Sequence, residues 1–536
     1  MQVKLNGKRV SFREGETILE LTKRKGIEIP TLCYHPSFEP ESRCRLCVVE
    51  IDGKLVTSCD TKIRNSMDIL TDSKKVMKSR KIGKRLIEER EKRFKPVQDK
   101  NPVIIDHSKC ILCGNCIKAC NIIQNVHAIG EKGKGIETKV SAPFDLGLEN
   151  SPCTFCGQCT HVCNCDAIRE RDDSKKLMTT LKDKKKHVVV QTAPSIRASL
   201  GELFGMPHGS LVTGKMITAM RKVGFDMIFD TDFGADMTTY EETYEFLERL
   251  KNGGPFPMFT SCCPAWVRFV EYYYPGFIKN VSTAKPPIEM FGVVAKNFYA
   301  KNTGINPKNV VVVAVVPCTA KKFEIERPEM KNYGLKNVDI TLTTREIGAI
   351  LKKKKIDFKK LKESKFDNPL GESSGGGAIY GVTGGVLETI LRAANCALGE
   401  KTIKIEFKSI RGLKGIREAT VKIGGKNVKV AVAHGLSNIR KILELIKSGK
   451  KKYHFVEMMA CPGGCIGGGG QPKSLDKDIL KKRSSALYCQ DRKLKIRIAN
   501  NNPVLIEFYK EVVKKPLSKK AHELLHAEHK KRLLKF

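Results

Sequence analysis

The chain has 536 residues, a formal net charge of +39 and 20 cysteines, so it is long enough for several domains with sizeable cores. The cysteines fall in spaced C-x2-C clusters within a Lys-rich sequence, which excludes a small secreted disulfide scaffold and favours metal ligation in a reducing compartment. The amino terminus has no apolar signal core and no run is long enough to span a bilayer, so we expect a cytoplasmic protein without a membrane span.

The first predicted domain, residues 1–72, opens with two strands around an Asn6-Gly7 turn and a helix that begins near Thr17. Four cysteines follow with the spacing C-x10-C-x2-C-x11-C: Cys33, Cys44, Cys47 and Cys59. Four thiols on such a β-grasp pattern predict a 2Fe-2S site, with structural zinc as the alternative. The pattern resembles the amino-terminal domain shared by multi-cluster hydrogenases and the large iron-sulfur subunit of respiratory NADH dehydrogenases.

Residues 73–100 are charged, poor in glycine, and contain neither cysteine nor histidine. This composition predicts a solvated connecting helix. Larger multi-cluster hydrogenases carry in this place a cluster held by one His and three Cys. The resemblance therefore implies that this chain lacks that cluster.

The second predicted domain, residues 101–172, contains the run C-x2-C-x2-C-x3-C twice. The two runs are Cys110, Cys113, Cys116 and Cys120, then Cys153, Cys156, Cys159 and Cys163. In two-cluster ferredoxins the fourth cysteine of each run ligates the other cluster. We therefore predict a bacterial two-4Fe-4S ferredoxin-like α+β domain, with Cys163 joining the first three thiols and Cys120 joining the later three. Zinc is the alternative, and Cys165 has no assigned ligand role.

After a Lys-rich linker, residues 187–536 read as an α/β domain. Strands are predicted at 187–191, 227–229, 310–316 and 453–458, and helices at 237–250, 288–299 and 436–446. Three cysteine motifs each follow an apolar run: TSCCPAW at 260–266, VPCTAKKFE at 316–324 and EMMACPGGCIGGGGQP at 457–472. Because α/β sheets bind ligands at the carboxyl ends of their strands, we expect these motifs to converge on one site.

Together the three motifs resemble the signature motifs of the iron-only (FeFe) hydrogenases, and the resemblance covers nearly the whole chain except 73–100. It implies a catalytic domain of two α/β lobes around the H-cluster, a 4Fe-4S cubane joined through one thiolate to a two-iron unit with carbon monoxide, cyanide and dithiolate ligands. Cys263, Cys318, Cys461 and Cys465 match the cubane ligands, with Cys465 as the bridge. Soft thiolates are the ligands that iron-sulfur clusters require.

A fifth thiol, Cys262, is not needed for binding the cubane and matches the family's proton-delivering cysteine, since proton reduction needs a titratable group beside the reacting atom. A buried structural cysteine is the alternative. The resemblance places onward proton relay positions at Glu324, Ser282, Glu242, Glu245 and Arg249. The last three share one face of a predicted helix, for which an exposed salt-bridged helix is the alternative.

Further matches concern residues around the two-iron unit. Lys321 matches a lysine that holds a cyanide, Pro194 and Ser195 match backbone and hydroxyl donors, and Met459 matches a thioether packed on the unit. Three positions depart from the family pattern: Val316 replaces a methionine, Pro286 a serine and Ile288 a polar residue. We expect these less polar surroundings to alter rate, catalytic bias or oxygen sensitivity, in a direction that the sequence does not indicate.

Three other features carry weaker signals. The Gly/Ser-rich stretch 372–377 predicts a surface connection leading into 378–385, which resembles a family segment near the active site. The tail holds His522, His526 and His529, whose spacing allows either a metal pair or the family's ordinary carboxyl-terminal segment. Cys396 and Cys489 have no assigned role.

The sequence therefore predicts reversible oxidation of molecular hydrogen, with electrons passing through one 2Fe-2S and two 4Fe-4S clusters to an external carrier. Ferredoxin is the expected carrier, and hydrogenase maturation proteins are expected partners. Alternatives are the catalytic subunit of an NADH-coupled bifurcating assembly with a flavoprotein subunit, a hydrogen sensor, and a cluster-assembly protein. The lysines are dispersed in short runs, so we predict no nucleic-acid partner; solvated faces or docking of an acidic carrier explain the charge.

Overall fold

The computed structural model describes residues 1–94, 100–400 and 404–533 and contains two compact units. The smaller unit comprises residues 1–121, 127–148 and 159–169, and the larger unit comprises 122–126, 149–158 and 170–536. The predicted domain 101–172 thus contributes residues to both units.

The elements of the smaller unit and its boundary are short except for one helix of 18 residues, Lys74–Glu91. The strands are β1 (Gln2–Leu5), β2 (Lys8–Ser11), β3 (Val48–Ile51), β4 (Lys54–Thr57), β5 (Asp68–Leu70), β6 (Val103–Ile105), β7 (Gly130–Lys132), β8 (Lys139–Ser141) and β9 (Ile168–Glu170), and the helices are α1 (Ile18–Arg24), α2 (Lys74–Glu91), α3 (Asn115–Lys118) and α4 (Gln158–His161).

The first five strands form one sheet in the order β2-β1-β5-β3-β4, with β1 and β5 parallel. Helix α1 begins at a capping box, in which the Thr17 hydroxyl accepts a hydrogen bond from the Glu20 N–H and the Glu20 carboxylate accepts one from the Thr17 N–H. Its residues Ile18 and Leu21 are fully buried in the core beneath the sheet. The predicted hairpin and helix are confirmed.

Helix α2 is the predicted connecting helix. Ser73 caps it by accepting a hydrogen bond from the Val76 N–H, and Val76 is its one buried residue. Most of the predicted linker is therefore a solvated helix, although residues 95–99 lie outside the described part of the chain. Among the helices of the described residues, none combines the length and apolar character needed to cross a bilayer.

The larger unit holds the remaining elements. The strands are β10 (His187–Thr192), β11 (Met227–Asp230), β12 (Met258–Phe259), β13 (Val310–Val316), β14 (Lys331–Asn332), β15 (Leu335–Lys336), β16 (Ile340–Thr343), β17 (Ile416–Ile423), β18 (Lys426–His434) and β19 (Phe455–Met459). The helices are α5 (Ser174–Thr180), α6 (Thr213–Val223), α7 (Thr231–Asn252), α8 (Pro264–Tyr273), α9 (Pro287–Val294), α10 (Ala300–Asn302), α11 (Lys321–Glu324), α12 (Thr344–Lys353), α13 (Gly375–Ile379), α14 (Gly385–Ala397), α15 (Leu436–Lys447), α16 (Ile479–Lys493), α17 (Pro503–Phe508) and α18 (Lys519–Leu525).

Two four-stranded sheets organise the larger unit. The first has the order β11-β10-β13-β16 and is parallel throughout. The second has the order β12-β19-β18-β17, in which only β17 and β18 pair antiparallel. The Val-rich β13 lies inside the first sheet and is almost entirely buried, as a strand covered on both faces should be. Two sheets of this kind agree with the predicted pair of α/β lobes.

The predicted surface connection at 372–377 is wrong over its second half. Ser374 is fully buried and donates to the Asp236 carboxylate, and the next three glycines begin the buried helix α13. A Cβ atom on Gly377 would lie 2.6 Å from the Asp232 carbonyl oxygen. The glycines therefore serve close packing of α13 against α7, not a mobile surface loop.

Candidate active site and metal centre

Three strand ends of the larger unit deliver the five thiols of the predicted catalytic site. Cys262 and Cys263 follow β12, Cys318 follows β13, and Cys461 and Cys465 follow β19. β12 and β19 are neighbours in one sheet and β13 lies in the other, and in each case the thiols lie beyond the carboxyl end of the strand, where α/β proteins place ligands. The predicted convergence of the three motifs is confirmed by the contacts that follow.

The thiols lie close enough to raise one another's pKa. Burial raises the pKa of Cys465 to about 12, with a further contribution from the charge of Cys263. Burial and the charges of Cys263 and Cys465 also raise the pKa of Cys318, and the pKa of Cys461 rises well above its ordinary value for the same reasons. Four thiolates this close are stable only with cations between them, which is the condition that bound iron meets.

The surroundings of the thiols fit a large group. Cys262, Cys263, Cys318 and Cys465 are partly exposed although their neighbours, such as Ser261 and Ile466, are buried. The thiols therefore border a space inside the unit. Ser195, in the turn after β10, has a buried Oγ without a hydrogen-bond partner among the described residues. A soft thiolate set beside an unpartnered hydroxyl suits an iron-sulfur group with polar ligands.

The glycine-rich loop after β19 is held by close backbone contacts. Gly464 has a φ of +89°, and a Cβ atom there would lie 2.7 Å from the Thr383 N and 2.8 Å from the Met459 Sδ. The Thr383 N–H donates to the Gly463 carbonyl over 3.0 Å. The segment 378–385 thus adjoins the thiol loop and Met459, as the resemblance implies.

A buried carboxylate lies beside Cys262. Glu242 of α7 accepts hydrogen bonds from the Ser261 N–H over 3.1 Å and from the Ser261 Oγ over 3.2 Å. Burial raises the pKa of Glu242 to about 8. Burial also raises the pKa of Cys262 well above its ordinary value, with the charge of Glu242 as the next contribution. Both groups therefore hold protons near neutral pH.

A second pair of carboxylate contacts continues toward the surface. The Ser282 Oγ donates to Glu245 over 2.7 Å, and Arg249 donates to the other oxygen of Glu245 over 2.6 Å. Ser282 also lies near enough to Glu242 to lower its pKa. The structure thus joins four of the predicted relay residues in one line, and the predicted shared face of their helix is confirmed.

The fifth predicted relay residue, Glu324, lies elsewhere. It accepts from the Lys321 ammonium over 2.6 Å, and the same ammonium donates to the Cys262 carbonyl over 3.2 Å. Both side chains are buried on α11. Lys321 is therefore fixed beside the thiols by its own carboxylate partner.

Two thiols of the second ferredoxin-type run belong to the larger unit. The Cys156 carbonyl lies 4.0 Å from the Cys461 Sγ, and the Gln158 amide donates to the Gly467 carbonyl over 2.9 Å. Arg268 of α8 donates to the Cys153 carbonyl over 2.6 Å. The loop that carries Cys153 and Cys156 is thereby fixed against the thiol loop.

The smaller unit gathers two further sets of thiols. Cys33 hydrogen-bonds Cys44, and the Cys47 Sγ lies 3.4 Å from the Cys59 Sγ. This arrangement of two pairs is what a 2Fe-2S site needs, since each iron takes two thiolates.

In the second set, burial raises the pKa of Cys116 well above its ordinary value, and Cys113, Cys163 and Cys110 add to the shift. These four are the thiols that we predict as one cluster. Cys120 accepts from the Ala128 N–H over 3.3 Å, and Cys159 lies in α4.

The three departures from the family pattern and two of the terminal histidines occupy packed positions, whereas His522 is exposed. Val316 and Ile288 are buried in the core, and Pro286 precedes α9. His526 hydrogen-bonds Glu241 over 3.1 Å, and His529 hydrogen-bonds the Ser282 carbonyl over 3.1 Å. Within the described ranges, no three His, Cys, Asp or Glu side chains gather closely enough to hold a single metal ion.

Comparison with family models decides the identity of this thiol site. The model described as iron only hydrogenase large subunit, C-terminal domain, matches residues 186–469. The chain belongs to the iron-only hydrogenase family. A model described as iron hydrogenase small subunit matches residues 477–532 of this hydrogenase, and one described as a 2Fe-2S iron-sulfur cluster binding domain matches residues 1–74. The predicted family and the presence of a 2Fe-2S domain are confirmed.

Individual relatives agree with this assignment. The hydrogenase is 43% identical over 569 residues to iron hydrogenase 1 of Clostridium pasteurianum, covering 98% of this chain and 99% of the relative. It is 40% identical over 581 residues to the NADP-reducing hydrogenase subunit HndD of Solidesulfovibrio fructosivorans, covering 99% of each. The solved structure of a variant of apo [FeFe]-hydrogenase HydA1 from Chlamydomonas reinhardtii matches with a TM-score of 0.61 and 37% identity, covering 67% of this chain and 99% of that chain.

The structure also shows site residues of the hydrogenase that sequence reasoning missed. Ser261 connects to Glu242, and its place beside the two cysteines was a usable signal. His434 accepts from the Gly463 N–H over 3.1 Å and so supports the thiol loop. Arg268 and His434 carry no local motif, because their partners are far away in the sequence.

Proposed function

We propose that this hydrogenase interconverts molecular hydrogen with two protons and two electrons at an H-cluster held by Cys263, Cys318, Cys461 and Cys465. The observation that carries the proposal is the group of thiols, partly exposed within buried segments, with a fifth thiol beside a buried carboxylate. The bound cluster supplies the redox chemistry and the site at which hydrogen reacts. The chain supplies ligation, orientation and proton transfer.

Proton transfer begins at Cys262. Its thiol holds a proton beside the site and exchanges it with Glu242, which the Ser261 N–H and hydroxyl orient. The proton then passes by way of Ser282 to Glu245, where Arg249 marks the outer end of the line. The raised pKa of the Glu242 carboxyl suits this role, because a proton carrier works best when its pKa lies near the working pH.

Three other groups orient the two-iron unit. Lys321 presents its ammonium to the site while Glu324 balances its charge. Pro194 and Ser195 offer a backbone group and an unpartnered hydroxyl from the end of β10, and Met459 offers a thioether from β19. These residues would hold the polar ligands of the unit and exclude water around them.

Electrons reach the catalytic site through the iron-sulfur clusters that the accessory thiols would hold. We assign Cys110, Cys113, Cys116 and Cys163 to one 4Fe-4S cluster, and Cys33, Cys44, Cys47 and Cys59 to the 2Fe-2S cluster. Cys153, Cys156, Cys159 and Cys120 remain the proposed ligands of the second 4Fe-4S cluster. The contact of 4.0 Å between the Cys156 carbonyl and the Cys461 Sγ supports direct transfer from that second cluster to the cubane.

The external carrier is proposed to be ferredoxin or a similar acidic protein, since the net charge of +39 favours docking of an acidic partner. The second candidate is a subunit of a nucleotide-linked bifurcating assembly. A relative matched along 99% of its length is named as an NADP-reducing hydrogenase subunit, which favours that candidate. Co-purification of a flavoprotein would support it. Maturation proteins that insert the two-iron unit are proposed partners in both cases.

The deciding experiment measures anaerobic hydrogen evolution from reduced methyl viologen by the matured chain beside Cys262→Ala. We expect rapid evolution from the wild type, and loss of nearly all turnover in the variant with unchanged cluster spectra. Cys489→Ala, which changes a thiol on α16, is the matched control and should retain turnover. If the wild type carries the two-iron unit but evolves no hydrogen, the proposed hydrogenase function is contradicted and a hydrogen-sensing role is favoured.

A further inference from the structure

Glu289 on α9 is a buried carboxyl group that the proposed proton line does not use. Its side chain is fully buried, and among the described residues only the Asn337 amide lies close enough to act on the carboxylate as a donor, outside normal hydrogen-bond geometry. An unpaired buried carboxylate is costly, so the group either carries a proton or serves a function that offsets the cost.

The charges that face Glu289 come from three neighbouring segments. Glu324 and Lys321 lie on α11, Lys285 lies just before α9, and the Asn337 amide lies nearby before β16. Burial raises the pKa of Glu289 to about 8, and the negative charge of Glu324 adds to the shift, while Lys321 and Lys285 oppose it. Glu289 is therefore electrostatically coupled to the pair that is anchored at Cys262.

Neighbours of Glu289 also contact a pocket. A pocket of about 190 Å³ is lined by Asn332 and Asn337, together with Lys296 and Tyr333. The buried Lys285 ammonium donates to the Asn332 side chain over 2.7 Å, and the buried Asn337 Nδ2 has no hydrogen-bond partner among the described residues. Asn337 thus both lines the pocket and faces Glu289, and Lys285, another neighbour of Glu289, donates to Asn332 of the pocket lining.

From this placement, and resting on the proposed hydrogenase function, we infer that Glu289 is the proton carrier of a second branch, which runs from the pocket to the Lys321–Glu324 pair. The Glu289 carboxylate takes a proton from water in the pocket, past Asn337 and Lys285. It then passes the proton to Glu324, beside the ammonium that contacts Cys262. Each step breaks one O–H bond and forms another, so no oxidant or reductant is needed.

The first test needs no activity and uses the chain without the two-iron unit. Infrared difference spectra between pH 6 and pH 10 are recorded for the wild type, Glu289→Gln and Glu289→Asp. We expect a carboxylic acid C=O band that is lost with a midpoint at pH of about 8, is missing in Glu289→Gln and is retained, shifted, in Glu289→Asp. A wild type and Glu289→Gln with identical difference spectra would overturn the inference.

The second test separates a parallel branch from a structural effect. Loss of a proton carrier costs about 10²- to 10⁴-fold where no other route exists. We expect Glu289→Gln to lower hydrogen evolution about threefold in the wild type, but at least about tenfold in a Glu242→Gln background, where the branch carries the remaining flux. Glu326→Gln, which changes an exposed carboxylate near α11, is the control and should leave hydrogen evolution unchanged in both the wild type and Glu242→Gln.

The outcomes distinguish this branch from the proposed function. If Glu289→Gln lowers hydrogen evolution by the same factor in the wild type and in Glu242→Gln, the second branch would be overturned and the hydrogenase assignment would stay intact. A wild type without hydrogen evolution would overturn the assignment, while the infrared test of Glu289 would still stand. Melting temperatures of Glu289→Gln and Glu289→Asp that match the wild type exclude misfolding as the cause of any loss.

Discussion

The thiols and the carboxylates of the larger unit are assembled in different ways. The thiols lie in short segments directly after three strands, so that each ligand is placed by its own local motif. The carboxylates occupy helices and are oriented by polar groups: Glu242 by Ser261, which follows another strand, and Glu324 by Lys321 of the same helix.

Metal ligation and proton transfer therefore arise from different levels of the structure. Metal ligation requires a few soft donors at fixed positions, which strand ends and glycines supply. Proton transfer requires pKa values near the working pH; burial is the main cause of the raised pKa of Glu242, and burial is a property of the whole fold. Ligation should therefore be sensitive to local backbone changes, and proton transfer to the loss of single polar atoms.

The largest effect is expected from Gly464→Ala, which tests whether the local backbone places the thiols. The new Cβ atom would meet the Thr383 N at 2.7 Å, at a backbone φ of +89°. Strain of about 1–3 kcal/mol should displace the loop that carries Cys461 and Cys465. We expect most iron at the catalytic site to be lost while the accessory clusters remain, as measured by iron content and by electron paramagnetic resonance.

The matched control is Gly276→Ala, at an exposed glycine where a Cβ atom would meet no heavy atom within 4 Å. It should retain full iron content. Full loading of the catalytic site in Gly464→Ala would show that the loop is not set by its local backbone.

The comparison also explains what could be predicted from the sequence. The thiol segments, the buried strand β13 and the common face of Glu242 and Arg249 follow from local spacing and periodicity, and the structure contains each of them. The buried helix at 375–379 and the burial of Glu289 could not be predicted, since both depend on elements far away in the chain. A glycine-rich stretch indicates close approach or a surface turn equally well until its neighbours are known.

Glu242→Gln tests the role of a buried carboxylate in proton transfer. We expect hydrogen evolution to fall about 10²-fold, because the amide keeps the shape but cannot exchange protons. Burial raises the pKa of Glu242 to about 8, so in the wild type the group is protonated below that pH and its capacity to deliver protons declines above it. The alkaline decline in evolution rate should therefore lose this component in the variant, as measured in a pH series.

The contribution of Glu242 to the unfolding free energy should fall as pH rises, which is the opposite of a carboxylate whose pKa is lowered by folding. Because the folded pKa of Glu242 lies above its ordinary value of 4.5, its ionisation destabilises the fold as pH rises from about 4.5 to about 8. Glu242→Gln should lose less unfolding free energy over that interval than the wild type. The exposed Glu248 of the same helix offers the control Glu248→Gln, which should follow the wild type in both measurements.

A smaller effect is expected from Ser282→Ala, which removes one hydroxyl from the line. Its Oγ donates to Glu245 over 2.7 Å and accepts from the Ala284 N–H over 3.2 Å. The two bonds are worth about 1 kcal/mol each, and about 2 kcal/mol in the barrier corresponds to a fall in turnover of about 30-fold, as measured by hydrogen evolution. Ser282→Thr keeps the hydroxyl and should restore most of the rate; equal losses in both variants would place the proton route elsewhere.

The smallest effect is expected from Cys165→Ala, which tests whether local spacing alone identifies a ligand. The Cys165 Sγ lies 3.7 Å from the Cys163 Sγ, so either thiol is close to the place of the fourth ligand. The C-x2-C-x2-C-x3-C spacing selects Cys163, and the charge of Cys163 contributes to the raised pKa values of Cys110, Cys113 and Cys116. We therefore expect Cys165→Ala to keep its iron content and paramagnetic resonance spectrum, whereas Cys163→Ala loses the signal of one 4Fe-4S cluster. Loss of the cluster in Cys165→Ala would make the surplus thiol the ligand, and would show that a close tertiary neighbour can replace a residue that the spacing selects.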